Sequence, residues 1–382
     1  MKKKLVIISE ALGGGVRRHI VDLLENLNKN KFEIYFIYNL DRADTIIKDK
    51  LKNMRLLGIN LIEIEGFNRE IGKNDIRAIK SIYNELKTIK PDIVHCHSSK
   101  AGALGRISAK IIGVKKIYYT PHAYYFQNPD SSNLKKKIYA TIESLLSRYF
   151  TTKTINVSLG EKQIALSYNL DKERKFHVIY NGIELYKNYN SEIKLKLSKE
   201  FNIYKDDVII GVIARLNGQK DPDTFIDIAK KVTEKYDNVK FIYVGDGSLY
   251  NKIKYRINNE NLSEKVILTG FRKDTEDILE IFDIFLTTAL YEGMPYALIE
   301  ALRAKLPIIA TNTIGNNEIV SHDINGYLID TKDSESGLKY IEHLLNNEDM
   351  IQKLGNKSFE EYNEKFTIKD MIEKYEALYE SI

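Results

Sequence analysis

Short apolar runs alternate with longer amphipathic segments, and they do so in two separate series. The first reads "KKLVIIS", "VRRHIVDLLENLNK", "FEIYFIYN", "IRAIKSIYNELKTIK", "PDIVHCH", "AGALGRISAKIIG" and "KIYYTPH". Runs this short and this apolar suit strands buried on both faces, and the amphipathic segments between them suit helices that cover the sheet. That is the βαβ pattern of a parallel sheet. A second series starts after residue 200 with "DVIIGVIARL", "DTFIDIAKKVTEKY" and "VKFIYVGDG" and runs to "LIEALRAKLPIIAT". Two such series predict an α/β chain of two doubly wound, Rossmann-like parallel-sheet domains. The patterning lapses over "YNGIELYKNYNSEIKLK". The expected division is therefore residues 1–187 and 188–382, with the last helix a candidate to pack back on the first domain.

Composition narrows the setting. A chain of 382 residues has the length for two cores. Its single cysteine, Cys96, excludes an internal disulfide and argues against a cysteine-rich zinc site. No stretch is long and apolar enough to cross a bilayer. The opening "MKKKLVIISEAL" has an apolar run too short for a signal peptide and reads as a first strand. A cytoplasmic protein is the expectation. Residues 1–183 carry 32 basic and 18 acidic side chains, a net +14, whereas 184–382 carry 26 and 35, a net −9. The N-terminal half is thus expected to meet something anionic: a nucleic acid, a membrane surface or a phosphorylated substrate.

Ligands of open parallel sheets bind at the C-terminal ends of the strands, so the chemistry should lie in the βα loops. In "SEALGGGVRRHIVDLL", Gly13, Gly14 and Gly15 stand between a strand and a helix, where backbone approaches a phosphate closely. Arg18 occupies the third glycine position of the dinucleotide fingerprint, so that motif is absent, and a plain tight turn is the other reading. "PDIVHCHSSKAG" puts His95 and His97 on one face of a strand end, with Lys100 just beyond. The pair resembles half a metal site. No third ligand is evident nearby, which favours structural or substrate-binding histidines. "YYTPHAYYFQ" places His122 past another strand in an aromatic loop, as a pocket histidine or a packed one.

In the second series, "GVIARLNGQKDP" ends a strand with Arg215 and supplies Lys220 five residues on. Two cations there suit a diphosphate, the guanidinium by paired hydrogen bonds and the ammonium as a point charge. Asp221 with Pro222 reads as a helix cap and first-turn proline rather than a metal motif. "YEGMPYALIEALRAKLPIIA" holds Glu292 and Glu300 eight positions apart. Gly293 and Pro295 break regular structure, and Ala297, Leu298, Ala301 and Leu302 recur at helical spacing, so a helix should begin near Tyr296. Glu292 then precedes a helix N-terminus that offers amides to an anion, and Glu300 lies about a turn inside. A capping acid with a solvated helix acid is the alternative.

Taken in order, "GGGVRRH", "TPHAYYF", "VIYNGI", "GVIARLNGQKDP", "VGDGSL", "LTGFRKD" and the glutamate pair resemble the retaining nucleotide-sugar glycosyltransferases of the large fourth sequence family, from about residue 5 to residue 330. "HSSKAGALGR" resembles its capsule, exopolysaccharide and lipid-linked glycan branch. The resemblance implies a GT-B architecture, two Rossmann-like domains facing across a cleft. It implies a nucleotide-sugar donor, with a UDP-sugar of an N-acetylhexosamine as first choice, and an acceptor glycan on polyprenyl diphosphate. By the same resemblance Glu292 meets the donor sugar, Gly293, Met294, Pro295, Tyr296 and Leu298 line the donor, and Glu300 holds the ribose. Arg215 and Lys220 neutralise the leaving diphosphate, His122 approaches the sugar, Gly14 and Gly15 close over the phosphates, and His97 and Lys100 serve the acceptor. One departure is Lys305, where the family usually has glycine.

The implied mechanism is retention by front-face departure and attack, without a cofactor or metal ion. A sugar-nucleotide 2-epimerase shares the architecture but needs acids and a base around the sugar. A nucleic-acid-binding protein is a more distant alternative, since the basic residues form no recognition motif. Last, "LKKKIYATIESLLSRYF" reads as a helix with Leu134, Ile138, Ile142, Leu145, Leu146 and Tyr149 along one side, near Lys135, Lys136, Lys137 and Arg148. That side either packs on its own sheet or docks on an anionic membrane, which would place the protein peripherally at the inner face of the cell membrane.

Overall fold

The computed structural model describes residues 2–41, 43–65, 72–127, 131–185 and 191–381. The chain forms two compact units, residues 1–181 with 368–382, and residues 182–367. The expected boundary at 187/188 lies outside the described residues. The final helix, Ile368–Glu380, belongs to the first unit.

In the first unit seven strands form one sheet: β1 Lys3–Ser9, β2 Phe32–Tyr38, β3 Asn60–Glu63, β4 Ile93–His97, β5 Lys116–Thr120, β6 Lys153–Asn156 and β7 Phe176–Val178. Their order is β3-β2-β1-β4-β5-β6-β7, parallel throughout. In the second unit the six strands are β8 Val208–Ile213, β9 Val239–Val244, β10 Val266–Gly270, β11 Ile284–Thr287, β12 Ile308–Thr311 and β13 Gly326–Ile329. They run β10-β9-β8-β11-β12-β13, again parallel. The order reverses beside the first strand of each sheet, between β1 and β4 and between β8 and β11. A crevice opens outside the strand ends at such a reversal. The loops after these four strands are therefore the ones positioned to hold a ligand.

Helix Ile368–Glu380 closes one face of the first core. Its Met371, Ile372, Tyr375, Leu378 and Tyr379 pack with Leu5, Ile7, Phe32 and Phe36. Its two tyrosines also supply polar partners for buried histidines. Tyr379 Oη lies 2.6 Å from His95 Nδ1 and Tyr375 Oη lies 3.2 Å from His19 Nε2. A buried polar atom stripped of its partner costs about 1–3 kcal/mol. Tyr379→Phe is therefore expected to lower the urea midpoint of the first unit by that amount of stability. An unchanged midpoint would show that the hydroxyl contributes nothing.

On the other face, Arg106 is fully buried on helix Ser99–Ile112. Its Nη2 donates to both carboxylate oxygens of Glu143, at 3.1 and 2.9 Å, and its guanidinium lies 3.7 Å from the Tyr119 ring centre. The arginine of "HSSKAGALGR" is thus a bolt between this helix and helix Asn133–Phe150. Arginine suits the position because its planar fork meets a carboxylate and stacks on a ring at once.

Lys305 adopts a φ of 59° just after helix Tyr296–Arg303. This is the left-handed turn in which glycine is the unstrained residue, and a side chain there costs about 1–2 kcal/mol.

Candidate functional site

The second unit gathers its candidate residues at the β8/β11 reversal. After β8 comes Arg215, exposed, and then the turn Gly218–Lys220. Asn217 Oδ1 accepts from Lys220 N at 3.3 Å, and Asp221, at φ 45°, caps helix Pro222–Thr233 while Pro222 opens it. The loop is tied to the segment after β11. Thr288 Oγ1 donates to the carbonyls of Lys220 (3.0 Å) and Asp221 (2.8 Å), Leu290 N donates to Gln219 O (2.8 Å), and Gln219 Nε2 donates to Tyr291 O (2.9 Å). These ties fix the loop so that Lys220 Nζ forms an ion pair with Glu292, both side chains being mostly buried. The cation read as the phosphate ligand and the acid read as the sugar ligand are direct partners.

Helix Tyr296–Arg303 begins where the spacing predicts, with Pro295 extended before it and no side-chain cap at its N-terminus. Gly293 and Pro295 are partly exposed, Met294, Tyr296 and Leu298 are buried, and Glu300 is 8 % exposed. Glu300 is therefore not a solvated helix acid. Gly315, at φ +84°, packs against this turn so closely that a Cβ would sit 2.3 Å from Gly293 O. It holds the Glu292–Gly293 backbone in place, a role the sequence reading missed. The glycines of "VGDGSL" likewise serve backbone packing: a Cβ on Gly245 or Gly247 would strike Ala214 O or Leu216 O, at 2.0 and 2.3 Å.

The first unit places its candidates at the β1/β4 reversal and beside it. Gly14 and Gly15 are exposed at the start of helix Gly14–Asn26. The Gly14 amide donates to Asp44 Oδ2 at 3.3 Å, and Arg17 binds the same carboxylate at 2.7 Å. His97 ends β4 and Lys100 lies in the helix that follows, its ammonium 2.5 Å from Asp75. Glu10, which the sequence reading passed over, is buried after β1. It accepts from Ser98 Oγ (2.8 Å), Lys100 N (3.3 Å) and Ala101 N (2.9 Å) and so caps helix Ser99–Ile112.

His122 follows β5, and its Nε2 lies 3.1 Å from His97 Nδ1. His122 and Ala123 both sit at positive φ, 55° and 81°. Such strain persists only where surrounding contacts over-determine it. Glu161 supplies them. Fully buried at the start of helix Leu159–Ser167, it accepts from Ala123 N (2.6 Å), Val157 N (2.9 Å) and Asn156 Nδ2 (3.2 Å). Nothing in the local pattern around Glu161 separates it from a surface helix acid.

A third histidine completes the group. His19 sits on the buried stripe of helix Gly14–Asn26 among Ile20, Val21, Leu23 and Leu24, its Nδ1 2.9 Å from Asn181 Oδ1. Its ring centre is 4.7 Å from that of His122 and 5.5 Å from that of His97. Ring nitrogens of the three lie within 4.8 Å of one another, a donor set that suits a borderline divalent ion by residue type. The half-site seen in the sequence paired His95 with His97. The structure instead gives His95 to Tyr379 and Thr120 and assembles His97 with His19 and His122. Burial pushes His19 down to about 4 and holds His95, His97 and His122 well below the usual imidazole value, with neighbouring imidazoles adding to the effect on these three. The group is neutral at pH 7, and neutral imidazoles accept as well as donate hydrogen bonds.

Two family matches cover most of the chain: "Glycosyltransferase Family 4" over residues 13–187 and "Glycosyl transferases group 1" over residues 193–361. Among the relatives is the "UDP-Gal:alpha-D-GlcNAc-diphosphoundecaprenol alpha-1,3-galactosyltransferase" of Escherichia coli, 35% identical over 267 residues, which span 69% of this chain and 68% of that protein. Another is the putative glycosyltransferase EpsD of Bacillus subtilis, 27% identical over 78% of this chain and 80% of its own. The solved structure of HepE from Anabaena in complex with UDP and glucose is similar over the full length of both chains, with a TM-score of 0.83 at 18% identity. Two parallel Rossmann-like sheets, an ion-paired Lys220 and Glu292 at the second switch point and these matches agree: the chain is a glycosyltransferase of family 4 type, built on the GT-B fold.

Proposed function

We propose that this enzyme moves a hexose or N-acetylhexosamine from a uridine diphosphate donor to a sugar carried on a polyprenyl diphosphate, with retention at the anomeric carbon and without a metal ion. The observation that carries this reading is the Lys220–Glu292 pair fixed at the β8/β11 reversal, beside the helix start at Tyr296. In this scheme the bond from the anomeric carbon to the diphosphate oxygen breaks, and its electron pair leaves on the diphosphate. The acceptor hydroxyl attacks the same face and gives its proton to that leaving oxygen. The charge that develops on the diphosphate is met by Arg215, Lys220 and the amides following Glu292, in place of a cation. Lys220 carries three protons, enough to serve Glu292 and a phosphate oxygen together. Glu292 orients the sugar, Glu300 accepts from the ribose, and neutral His122, held by Glu161, hydrogen-bonds the sugar near the reacting carbon. Gly14 and Gly15 cover the phosphates, and His97 and Lys100 belong to the acceptor side.

The relatives support the substrate classes. The Escherichia coli protein is named for a UDP-sugar and a diphosphoundecaprenol-linked acceptor, and HepE holds UDP with glucose. Relatives named for transfer favour this reading over 2-epimerisation. The test is incubation with a panel of UDP-sugars and a polyprenyl-diphosphate-linked sugar. Nucleotide release that requires the acceptor, an α product from an α donor and full activity in chelator are expected. An inverted product, or interconversion of the donor alone, would overturn it. Within this reading Glu300→Gln should weaken UDP binding about 10- to 100-fold, the scale of a charged hydrogen bond. Glu292→Gln should instead depress kcat or change donor preference. UDP affinity unchanged in Glu300→Gln would remove the ribose assignment.

A further inference from the structure

Helix Asn133–Phe150 is built the wrong way round for a helix that only covers a sheet. Its inward face consists of Ala140, Leu146 and Ser147, with Glu143 bound to Arg106. Its large apolar side chains face solvent: Leu134 is 70 % exposed, Ile138 49 %, Ile142 43 %, Leu145 52 % and Tyr149 64 %. At about 100° per residue these five fall within about 80° of arc; Ala140, Glu143 and Ser147 lie on the opposite side, with Leu146 at its edge. Packing on the sheet therefore does not explain the stripe, and of the residues expected along it only Leu146 turns inward. A continuous exposed apolar stripe marks an interaction surface.

The charges beside the stripe say what it meets. Lys135 lies along one flank and Lys137 and Arg148 along the other, all three exposed, with long stems that let the apolar side chains go deeper than the cations. Arg148 also lines a hollow of about 510 Å³ with Asn169, Asp171, Lys172, Arg174 and Lys175, four cations beside one amide and one carboxylate, the latter paired with Lys175. The hollow adjoins the Leu145–Tyr149 end of the stripe, because Arg148 Nε donates to Leu170 O and Nη2 to Asn169 O. Residues 1–181 and 368–382 together carry 34 basic and 22 acidic side chains, a net +12, against −7 for the second unit. A protein partner would need a matching acidic rim around an apolar furrow. A leaflet of anionic phospholipid offers acyl chains beneath a plane of phosphates, which fits an apolar stripe flanked by cations.

We infer that helix Asn133–Phe150 is a membrane-docking surface, with its five apolar side chains in the acyl boundary of an anionic leaflet and headgroup phosphates on Lys135, Lys137, Arg148 and the neighbouring hollow. The inference deepens the proposed function by naming where the lipid-linked acceptor would be met, and rests on that reading only for its purpose. The helix lies parallel to the surface and does not cross it: among the described residues no helix is long and apolar enough to span a bilayer.

The test is co-sedimentation of the full chain with phosphatidylglycerol/phosphatidylcholine vesicles at low and high salt. Binding that weakens with salt is expected. Lys135→Glu, Lys137→Glu and Arg148→Glu together should reduce it by at least about a hundredfold, each cation near such a surface being worth about a fivefold gain and each added carboxylate opposing binding further. Leu134→Ser, Ile138→Ser, Leu145→Ser and Tyr149→Ser should abolish it while leaving UDP affinity unchanged, since these side chains are exposed and the nucleotide is assigned to the second unit. No binding at low salt overturns the surface, and so does self-association that the serine variant abolishes while vesicles are ignored. Vesicle binding without transfer to any acceptor sustains the surface and sinks the proposed reaction. Transfer to a detergent-dispersed polyprenyl-diphosphate-linked sugar without vesicle binding does the reverse.

Discussion

Alanine at both Arg215 and Lys220 is expected to slow turnover by about 10⁴-fold or more. Each cation meets charge that grows on the leaving diphosphate, and loss of one preorganised contact of this kind costs about a hundredfold to a thousandfold. The single variants should differ in character. Arg215 is exposed at a strand end, so its removal disturbs little else. Lys220 is the partner of a mostly buried carboxylate, and Lys220→Ala leaves Glu292 without its counter-charge. Part of the Lys220 effect then belongs to the pair. In a double-mutant cycle, Lys220→Ala with Glu292→Gln should cost less than the sum of the two alone. The measurement is kcat in chelator, with UDP affinity and the urea midpoint as checks on fold. Strict dependence on magnesium or manganese together with near-normal turnover in Arg215→Ala would overturn this account of leaving-group stabilisation.

Acid is expected to unfold the first unit well before the second. His19, His95 and His97 are fully buried and His122 partly so, and burial holds all four below the ordinary imidazole value, His19 at about 4. In the unfolded chain each takes up a proton near pH 6.5, so the unfolded state binds more protons and stability falls as pH drops below that value. Each imidazole still neutral in the fold at pH 5 then costs about 2 kcal/mol. Asp22 opposes this: burial holds it up at about 6, so its protonation on the way to pH 5 returns on the order of 1 kcal/mol. His322 and His343, the second unit's histidines, are both exposed. Hydrogen exchange at pH 7 and pH 5 should show protection lost across β1, β4 and β5 while β8, β9 and β11 keep theirs. Equal protection in the first unit at both values would show that the cluster is solvated or charged.

Much of the architecture is written locally. Short apolar runs separated by amphipathic ones specify buried parallel strands without long-range information, and Pro295 before helix Tyr296–Arg303, like Asp221 and Pro222 before helix Pro222–Thr233, announces its helix in the residues themselves. What was not legible depends on partners far apart in the chain. Glu10 and Glu161 look like any surface acid until the topology sets them under amides of other loops. His19 did carry a signal, a polar residue on the apolar stripe of its helix, but its two companions lie 78 and 103 positions away. Periodicity found the stripe of helix Asn133–Phe150 yet could not say which side faces the sheet. That choice was made by Arg106, whose buried guanidinium requires Glu143 to face inward and so turns the leucines and isoleucines out.

Ribosomal synthesis gives the placement of helix Ile368–Glu380 a further meaning. The segment that covers Phe32, Phe36 and the histidines is made only after 186 intervening residues, the rest of its unit having ended at Asn181. At about 5–20 residues per second, the first unit waits some 10–40 s with an apolar face open and the ring nitrogens of His19 and His95 unmatched by their tyrosines. The second unit, continuous in the chain, has every residue it needs before that helix emerges. The first unit is therefore completed only after the second, and nascent chains that have exposed residue 367 but not helix Ile368–Glu380 should hold a finished second unit beside an unfinished first one.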